Sequence, residues 1–301
     1  MILTRRAWLL AGSSLALSER LWSASHRFRL AICNETFVNW PFERMCQGAQ
    51  RAGYQGIEIA PMTLGDDPVK LSARRRAELR RAMASEGLKF AGLHALLAGP
   101  PGLHATTPDV TVRSRTWQHL RGLLDLCADL GDRGVMVFGS GKQRATTAGS
   151  TAAEALKRFA DGLAGLVPLA SQRRVTILIE PLAPAFSDVV NTLGEAADLV
   201  GQIGSPYIQT MFDSHNTAAE QEPHDGLIRK HRKVIKHVHL NEMDGRHPGT
   251  GNYDFKKVLQ ALKDVAYEGW VSLEVFDFKA GPEKIAHESA TRLRRWESEL
   301  R

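Results

Sequence analysis

Four residues that can bind a metal ion lie at the ends of four successive apolar runs in the second half of the sequence. Three are carboxylates and one is an imidazole: Glu180, Asp213, His239 and Glu274. Three carboxylates brought together away from water would repel one another, and a divalent cation among them would remove that conflict. A mixed set of carboxylate and imidazole donors suits Mn²⁺, Mg²⁺, Co²⁺ or Zn²⁺. The pattern therefore predicts one divalent metal ion, with Mn²⁺ as the leading candidate.

These runs belong to a longer series in which short β-like runs alternate with helical patterns. A helix is expected after each of eight strands, and no linker or low-complexity tract interrupts the series. The expected strands span residues 29–34, 56–60, 88–94, 134–138, 175–180, 208–213, 234–240 and 270–275. The series predicts an α/β protein with a closed (β/α)₈ TIM barrel. An open, doubly wound sheet is the alternative, but the residues after the first strand, 34–37, lack the glycine-rich phosphate turn of such sheets.

The seventh run carries two imidazoles and leads into a polar loop. Alternation along a strand puts His237 on the same face as His239. His237 lies deeper, and we predict that it supports the metal-binding His239 instead of binding the ion. The Gly/Pro loop that follows holds Glu242 and Arg246. Because barrel active sites lie at the C-terminal ends of strands, this loop is expected at the edge of the site.

The composition is that of an ordinary globular protein, with 43% hydrophobic and 24% charged residues in a chain of 301. That length fits a single barrel domain whose core needs no disulfides. Cys33, Cys46 and Cys127 are far apart, which argues against a cysteine metal site and against a disulfide framework. The net charge of +6 is modest and its basic runs fall in helical stretches, so nucleic-acid binding is not expected.

The N-terminal residues have the features of an export signal. Arg5 and Arg6 precede a short apolar run at 11–17, and small residues follow at 23–25. This order of basic, apolar and small residues predicts a signal peptide over residues 1–25, of the twin-arginine type, which exports folded proteins. The catalytic domain would then span residues 26–301, and the mature protein would be periplasmic with no membrane attachment.

Several short motifs resemble the sugar isomerase and epimerase family with a xylose-isomerase-like barrel. The resemblance covers essentially the whole chain after residue 25 and is most specific from Glu180 onward. Known members include ketose 3-epimerases, hydroxypyruvate isomerase and inosose dehydratase, and AP endonucleases share the fold. The motifs are Glu180-Pro181-Leu182, Asn191-Thr192, Phe212-Asp213, His239 to Glu242, Pro248 to Gly251 and Gly269 to Glu274.

The resemblance implies a metal-dependent isomerase or epimerase that acts on a sugar or sugar derivative. The metal would be held by Glu180, Asp213, His239 and Glu274. Glu180 and Glu274 would also form the catalytic acid/base pair, on opposite sides of the reacting carbon. A divalent ion acidifies the C–H bond next to a bound carbonyl and stabilises the enediolate, and a carboxylate on each face can remove and return the proton. The partner is then a small carbohydrate, and a homo-oligomer is compatible with the resemblance.

Three positions depart from the epimerase pattern, all outside the four metal ligands. They are Asn216 in place of histidine, Phe186 in place of a second glutamate, and Gly245 in place of an arginine that here follows at 246. The predicted metal core matches the family while the residues facing the substrate differ. Isomerisation, epimerisation and dehydration by a sugar lyase on the same site therefore all stay open.

Polar residues at strand ends and in the loops after them are candidate substrate contacts. They are Asn34, Glu58, His94, His104, Lys142, Arg144, His215, Asn216, Glu242 and Arg246. Two rival functions share the barrel. An AP-endonuclease-like metallohydrolase would need several zinc ions and more histidines, and Asn216 and the modest charge weigh against it. An exported sugar-binding protein without catalysis would have no need of both Glu180 and Glu274.

Overall fold

The computed structural model describes residues 27–301, so the predicted signal peptide lies outside the described residues. Eight parallel strands hydrogen-bond in chain order, and the last pairs with the first to close a barrel. This confirms the predicted (β/α)₈ barrel. The strands are β1 Arg29–Cys33, β2 Gly56–Ile59, β3 Lys89–Leu93, β4 Val135–Phe138, β5 Thr176–Ile179, β6 Ile208–Asp213, β7 Ile235–Leu240 and β8 Trp270–Leu273.

One long helix follows each strand and packs outside the barrel. The helices are α1 Phe42–Ala52, α2 Ala73–Ser85, α3 Val110–Leu130, α4 Ala152–Arg173, α5 Leu193–Ile203, α6 His224–His231, α7 Phe255–Asp264 and α8 Pro282–Ser298. A single helical turn, Gly141–Arg144, follows β4, and 3₁₀ turns at Asn34–Phe37 and Pro61–Leu64 follow β1 and β2. Between residues 27 and 301, every helix is too short or too polar to cross a membrane.

Local sequence signals fix where most helices begin. Thr151 and Thr192 accept hydrogen bonds from the N–H groups of Glu154 and Glu195, and each glutamate accepts one in return from the threonine backbone. These reciprocal bonds satisfy N–H groups that a helix start leaves unpaired. The helical pattern in the sequence predicts a helix from about residue 218 to residue 232, and this prediction is wrong at its start, since α6 begins only at His224. Pro223 is the reason, because proline excludes helical geometry from the residue before it.

The core lies inside the barrel and between the barrel and its helices. Phe138 of β4 and Phe159 of α4 meet edge to face, with ring centroids 4.9 Å apart, and both are fully buried. Cys33, Cys46 and Cys127 are buried and form no disulfide. The barrel is therefore held together by apolar packing and by the closed ring of strands, as the cysteine spacing predicted.

Candidate active site

The four predicted metal ligands meet at the C-terminal end of the barrel. Glu180 follows β5, Asp213 ends β6, His239 lies near the end of β7, and Glu274 follows β8. A shift in the pairing of β6 with β7 places Asp213 directly opposite His239. One ligand atom from each of the four residues lies within 4.8 Å of the others, and all four side chains are buried. Nδ1 of His239 is 3.0 Å from Oε2 of Glu274 and 3.7 Å from Oδ2 of Asp213.

Burial raises the pKa of two of the three carboxyl groups in this cluster, whereas at Asp213 the hydrogen bond and charge of His239 outweigh burial and lower the pKa. Burial is the main reason that the pKa of Glu180 lies well above its ordinary value, and the charges of Glu274 and Asp213 raise it further. Burial also raises the pKa of Glu274. Burial disfavours the charged form of His239, but the carboxylates of Glu58 and Glu274 outweigh it and raise the pKa of His239 well above the usual range. A bound cation would displace protons from the groups whose pKa is raised.

Glu58 determines which nitrogen of His239 faces the cluster. The carboxylate of Glu58 lies on β2 and is fully buried; its Oε1 is 3.0 Å from Nε2 of His239, and its Oε2 is 2.8 Å from Nε2 of His237. Burial alone would raise the pKa of Glu58, but the two histidines lower it well below its ordinary value. Glu58 is therefore a carboxylate that accepts Nε2–H from His239 and leaves Nδ1 directed at Asp213 and Glu274.

The donor set fits a divalent cation. The buried atoms Nδ1 of His239 and Oε2 of Glu274 lie 3.0 Å apart, and among the described residues neither has a further hydrogen-bond partner. A cation shared by the two atoms would satisfy both without a proton between them. One imidazole and three carboxylates also match the donors that Mn²⁺, Mg²⁺, Co²⁺ and Zn²⁺ accept. The backing of His239 by Glu58 is the kind of support that metal-binding histidines commonly have.

Asn216 joins two of the carboxylates. Its Nδ2 donates to Oε1 of Glu180 at 3.0 Å and to Oδ2 of Asp213 at 3.2 Å. The other oxygen of Asp213 accepts the backbone N–H of His215 at 2.6 Å. Asn216 therefore orients the two carboxylates from the position where a histidine was expected from the resemblance.

A cavity of about 350 Å³ opens above the cluster, with Glu180, Asn216 and Glu274 in its wall. Of the predicted substrate contacts, Lys142, His215 and Asn216 line it. Its apolar wall contains residues that the sequence argument did not assign to the site, chiefly Phe276, together with Phe186, which was noted only as a departure. Phe276 lies in the loop after β8, where the alternation of a strand no longer indicates which way a side chain points.

Other predicted contacts are not part of the wall of this cavity and bond to the protein itself, although His94 lies beside the cluster, with a ring nitrogen within 4.8 Å of a carboxylate oxygen of Glu274. Asn34 accepts the N–H of Ala60 at 2.8 Å and donates to Oγ1 of Thr63 at 2.7 Å, which ties together the loops after β1 and β2. Nε2 of His94 is 2.5 Å from Oε1 of Glu35. Burial disfavours the charged form of His94, but Glu35 outweighs it and raises its pKa to about 9.

The loop after β7 is fixed by Glu242. Its carboxylate accepts the N–H groups of Gly249 at 2.8 Å and Tyr253 at 3.1 Å, and the side chain is buried. Arg246 points elsewhere and pairs with Asp244, 2.7 Å away. The structure thus places Glu242 within the loop and Arg246 on the surface, and neither residue lines the cavity.

Arg144 is fully buried and bonds to three backbone carbonyls. Its guanidinium donates to the carbonyl oxygens of Phe138 at 2.8 Å, Glu180 at 2.7 Å and Val190 at 3.1 Å. It therefore connects the end of β4 to the backbone that carries Glu180. His104, the remaining candidate, has its Nδ1 3.4 Å from the hydroxyl of Thr106 and is not part of the cavity wall.

Comparisons with known proteins agree with this arrangement. The family model for the xylose isomerase-like TIM barrel matches residues 46–296. An L-ribulose 3-epimerase from Mesorhizobium japonicum is 26% identical over 252 residues, which cover 82% of this chain and 80% of that protein. A D-psicose 3-epimerase from Enterocloster bolteae is 33% identical over 93 residues, which span 31% of each chain.

Solved structures of other proteins have the same fold. A crystal structure of D-psicose 3-epimerase in the presence of D-fructose has a TM-score of 0.77 to this chain at 20% sequence identity. The superposition covers 89% of this chain and 99% of that one. The family model spans most of the barrel and includes all four residues of the cluster. The chain belongs to the xylose isomerase-like TIM barrel family.

Proposed function

We propose that this protein is a divalent-metal-dependent epimerase or isomerase of a sugar or sugar derivative. The observation that carries the proposal is the pair Glu180 and Glu274, which belong to the buried cluster and also line the cavity above it. Two carboxylates at the floor of one cavity can act on one carbon atom of a bound molecule. The names of the relatives, L-ribulose and D-psicose 3-epimerases, support a ketose or a related keto sugar as the substrate.

The proposed reaction moves a proton at the carbon next to a carbonyl. A divalent ion held by Glu180, Asp213, His239 and Glu274 would polarise that carbonyl and lower the pKa of the neighbouring C–H bond. One glutamate accepts the proton from carbon as a carboxylate, and the other returns a proton as a carboxylic acid.

Neighbouring residues keep the two glutamates in place for this transfer. Asn216 holds Oε1 of Glu180, and Arg144 holds the backbone carbonyl of the same residue. Glu58 orients His239, which lies 3.0 Å from Glu274. The burial of these groups excludes bulk water from the floor of the cavity, which strengthens the electrostatic interactions there.

A dehydratase is the second candidate. Removal of the same proton can be followed by loss of a hydroxyl from the adjacent carbon, so the two reactions share a first step. Phe186 keeps this alternative open, since it stands in place of a glutamate of the epimerase pattern. The two reactions differ by one water in the mass of the product.

The test is proton exchange with solvent. Purified protein loaded with Mn²⁺ would be incubated in D₂O with a panel of free ketoses and ring-oxidised sugars, followed by NMR and mass spectrometry. We expect deuterium at one carbon and a loss of about 10²–10⁴-fold in rate for Glu180→Gln and Glu274→Gln. Glu78→Gln, in an exposed ion pair on α2, is the matched control. Turnover that survives both active-site substitutions would refute the mechanism.

We also propose that the chain is exported through its twin-arginine segment. The support is the order of Arg5-Arg6, an apolar run and small residues at 23–25. Fractionation of cells that express the full chain should find the protein outside the cytoplasm. Arg5→Lys with Arg6→Lys should retain it inside, and export that is unchanged by this double substitution would contradict the proposal.

A further inference from the structure

Two exposed phenylalanines stand at the rim of the active-site cavity. The sequence has eleven phenylalanines, and all of them lie within the described residues. Only Phe186 and Phe276 are exposed, at 47% and 52%, and both line the same cavity. The ring of His215 lies between them, with centroid distances of 5.9 Å to Phe186 and 5.0 Å to Phe276. An apolar surface of this kind, left open at a ligand cavity, indicates a binding surface.

The backbone fixes both rings in position. The N–H of Phe186 donates to the carbonyl of Ala183 at 2.8 Å, and the N–H of Phe276 donates to the carbonyl of Gly245 at 2.8 Å. Gly141 packs so closely that a Cβ there would lie 2.5 Å from the carbonyl oxygen of Phe186. The aromatic surface is therefore preformed, so little ordering would be needed on binding.

Two of the three departures from the epimerase pattern serve this surface. Phe186 is one of the two rings. Gly245 has a φ of +80°, which favours glycine, and a Cβ at this position would lie 3.0 Å from the Cβ of Phe276. Phe186 thus supplies one ring of this surface, and Gly245 leaves room for the other. One apolar ligand group would account for both changes.

The remaining lining of the cavity is divided by polarity. Polar groups come from the turn after β4: Ser140, Lys142 and Gln143. Apolar groups come mainly from the loops after β5 and β8: Leu182, Ala185, Phe186 and Phe276. The polar side of the cavity can hydrogen-bond to the hydroxyls of a sugar, while the apolar side offers a surface to an apolar group attached to it.

We propose that the substrate is a keto sugar whose anomeric carbon carries an apolar, planar substituent, such as an aryl glycoside. The substituent packs against Phe186, His215 and Phe276, and the sugar ring lies on the floor at Glu180 and Glu274. This inference rests on the proposed function, which places the reacting sugar at these two glutamates. Because a glycosidic substituent blocks the anomeric carbon, the carbonyl must lie on another ring carbon. The reaction that supplies the substrate is therefore an oxidation of a ring hydroxyl.

Binding can be tested without turnover. Calorimetry on the Mn²⁺-loaded protein would compare phenyl with methyl glycosides of glucose, galactose and mannose, none of which carries a carbonyl. We expect at least one phenyl glycoside to bind about 10-fold more tightly than its methyl partner, as aromatic contacts of this kind allow. Phe186→Ala and Phe276→Ala should each reduce that ratio about threefold or more. Val110→Ala, an exposed apolar truncation at the start of α3, should leave it unchanged.

The outcomes separate this inference from the proposed function. Equal binding of phenyl and methyl glycosides, no binding by any of the six, or a phenyl preference that survives both alanine variants would overturn the aromatic subsite. Phe276→Leu keeps an apolar side chain without a ring, and an undiminished preference there would also contradict an aromatic contact. Melting temperatures would establish that each variant is folded. A clear phenyl preference without deuterium exchange in any ring-oxidised glycoside would support the subsite and refute the proposed reaction.

Discussion

The two halves of the barrel's C-terminal end carry similar polar side chains but arrange them differently. After β5 to β8, three carboxylates and one imidazole converge within 4.8 Å. After β1 to β4, the polar side chains bond mostly to the protein itself. Asn34 joins two loops, Glu58 bridges two histidines, and Arg144 binds three carbonyls.

The difference shows which half has been left for a ligand. Buried charge that is balanced within the protein supports structure, while buried charge that is unbalanced indicates a missing partner. Glu58 and Glu180 illustrate this, since both are buried glutamates at strand ends. The histidines around Glu58 hold its pKa well below the ordinary value, whereas burial and neighbouring carboxylates raise that of Glu180. Four experiments test this difference between the two halves.

The largest effect is expected for Arg144→Met, in the half after β1 to β4. The substitution leaves the carbonyls of Phe138, Glu180 and Val190 without their donor in a fully buried place. Because each buried, unpaired group costs about 1–3 kcal/mol, we expect the free energy of unfolding to fall by about 3 kcal/mol or more. Urea unfolding measures this. An unchanged midpoint would show that Arg144 is not part of the supporting structure.

Metal binding at the cluster after β5 to β8 should stabilise the protein in a pH-dependent way. Mn²⁺ at about 100 times its dissociation constant should raise the free energy of unfolding by about 2.7 kcal/mol near pH 8. Glu180 and Glu274 have raised pKa values, so without metal the folded state binds more protons than the unfolded state above the ordinary carboxyl pKa. The metal-free protein therefore loses stability as the pH rises through that window.

Protons and metal compete for the same atoms, so the stabilisation by Mn²⁺ should shrink as the pH falls from 8 towards 5. His239 contributes in the same sense, because its raised pKa means that a proton must leave before the ring can bind a cation. Scanning calorimetry of chelator-treated and Mn²⁺-loaded protein across this range measures the difference. A shift that is equal or larger at pH 5 would contradict the assignment of the cluster as a metal site.

The substitution Glu58→Gln tests a contact between the two halves, because Glu58 of β2 binds His239 of β7. Glutamine keeps the size of the side chain but has only one acceptor oxygen, which is neutral. It therefore cannot replace the carboxylate that accepts Nε2–H from both His237 and His239. We expect the dissociation constant for Mn²⁺ to rise about 10–100-fold, the usual cost of losing such support. The matched control is Glu35→Gln, since Glu35 contacts His94 and not His239. Titration followed by electron paramagnetic resonance measures both, and equal losses would show that the effect is not specific to His239.

The smallest effect is expected for Arg246→Ala. Arg246 is partly exposed and pairs with Asp244 on the surface, so its removal should change the free energy of unfolding by less than about 1 kcal/mol. Turnover of the sugar substrate should stay within about twofold. A tenfold loss of turnover would restore the substrate contact expected from the sequence and would place the loop after β7 in the active site.

The barrel and the meeting of the four cluster residues could be predicted from the sequence because both depend on local order. Alternating strand and helix patterns determine the fold class, and the last residues of consecutive parallel strands are neighbours at one end of a barrel. Glu180, Asp213, His239 and Glu274 could therefore be grouped without knowing any distance. The predicted start of α6 is wrong for a local reason too, since Pro223 excludes helical geometry from the residue before it.

The roles of Glu58, Glu242 and Arg144 could not be predicted in the same way. Each forms its bonds with residues distant in sequence or in a loop whose path is unknown beforehand. Glu58 and His237 are on β2 and β7, strands that do not pair with each other. A polar residue at a strand end looks the same in sequence whether it faces a cavity or a partner across the barrel. Only the fold separates the two cases.

The closure of the barrel also brings the beginning and end of its described chain together. β1 pairs with β8, and Arg294 of α8 donates to the carbonyl of Phe28 at 2.8 Å. A short linker between these ends, with new ends opened at the exposed Gly149, would give a circular permutant with the same strand neighbours. In such a chain the ribosome would synthesise β5 to β8 first, the strands whose ends carry the four cluster residues. Their supporting strands, with Glu58, would arrive last.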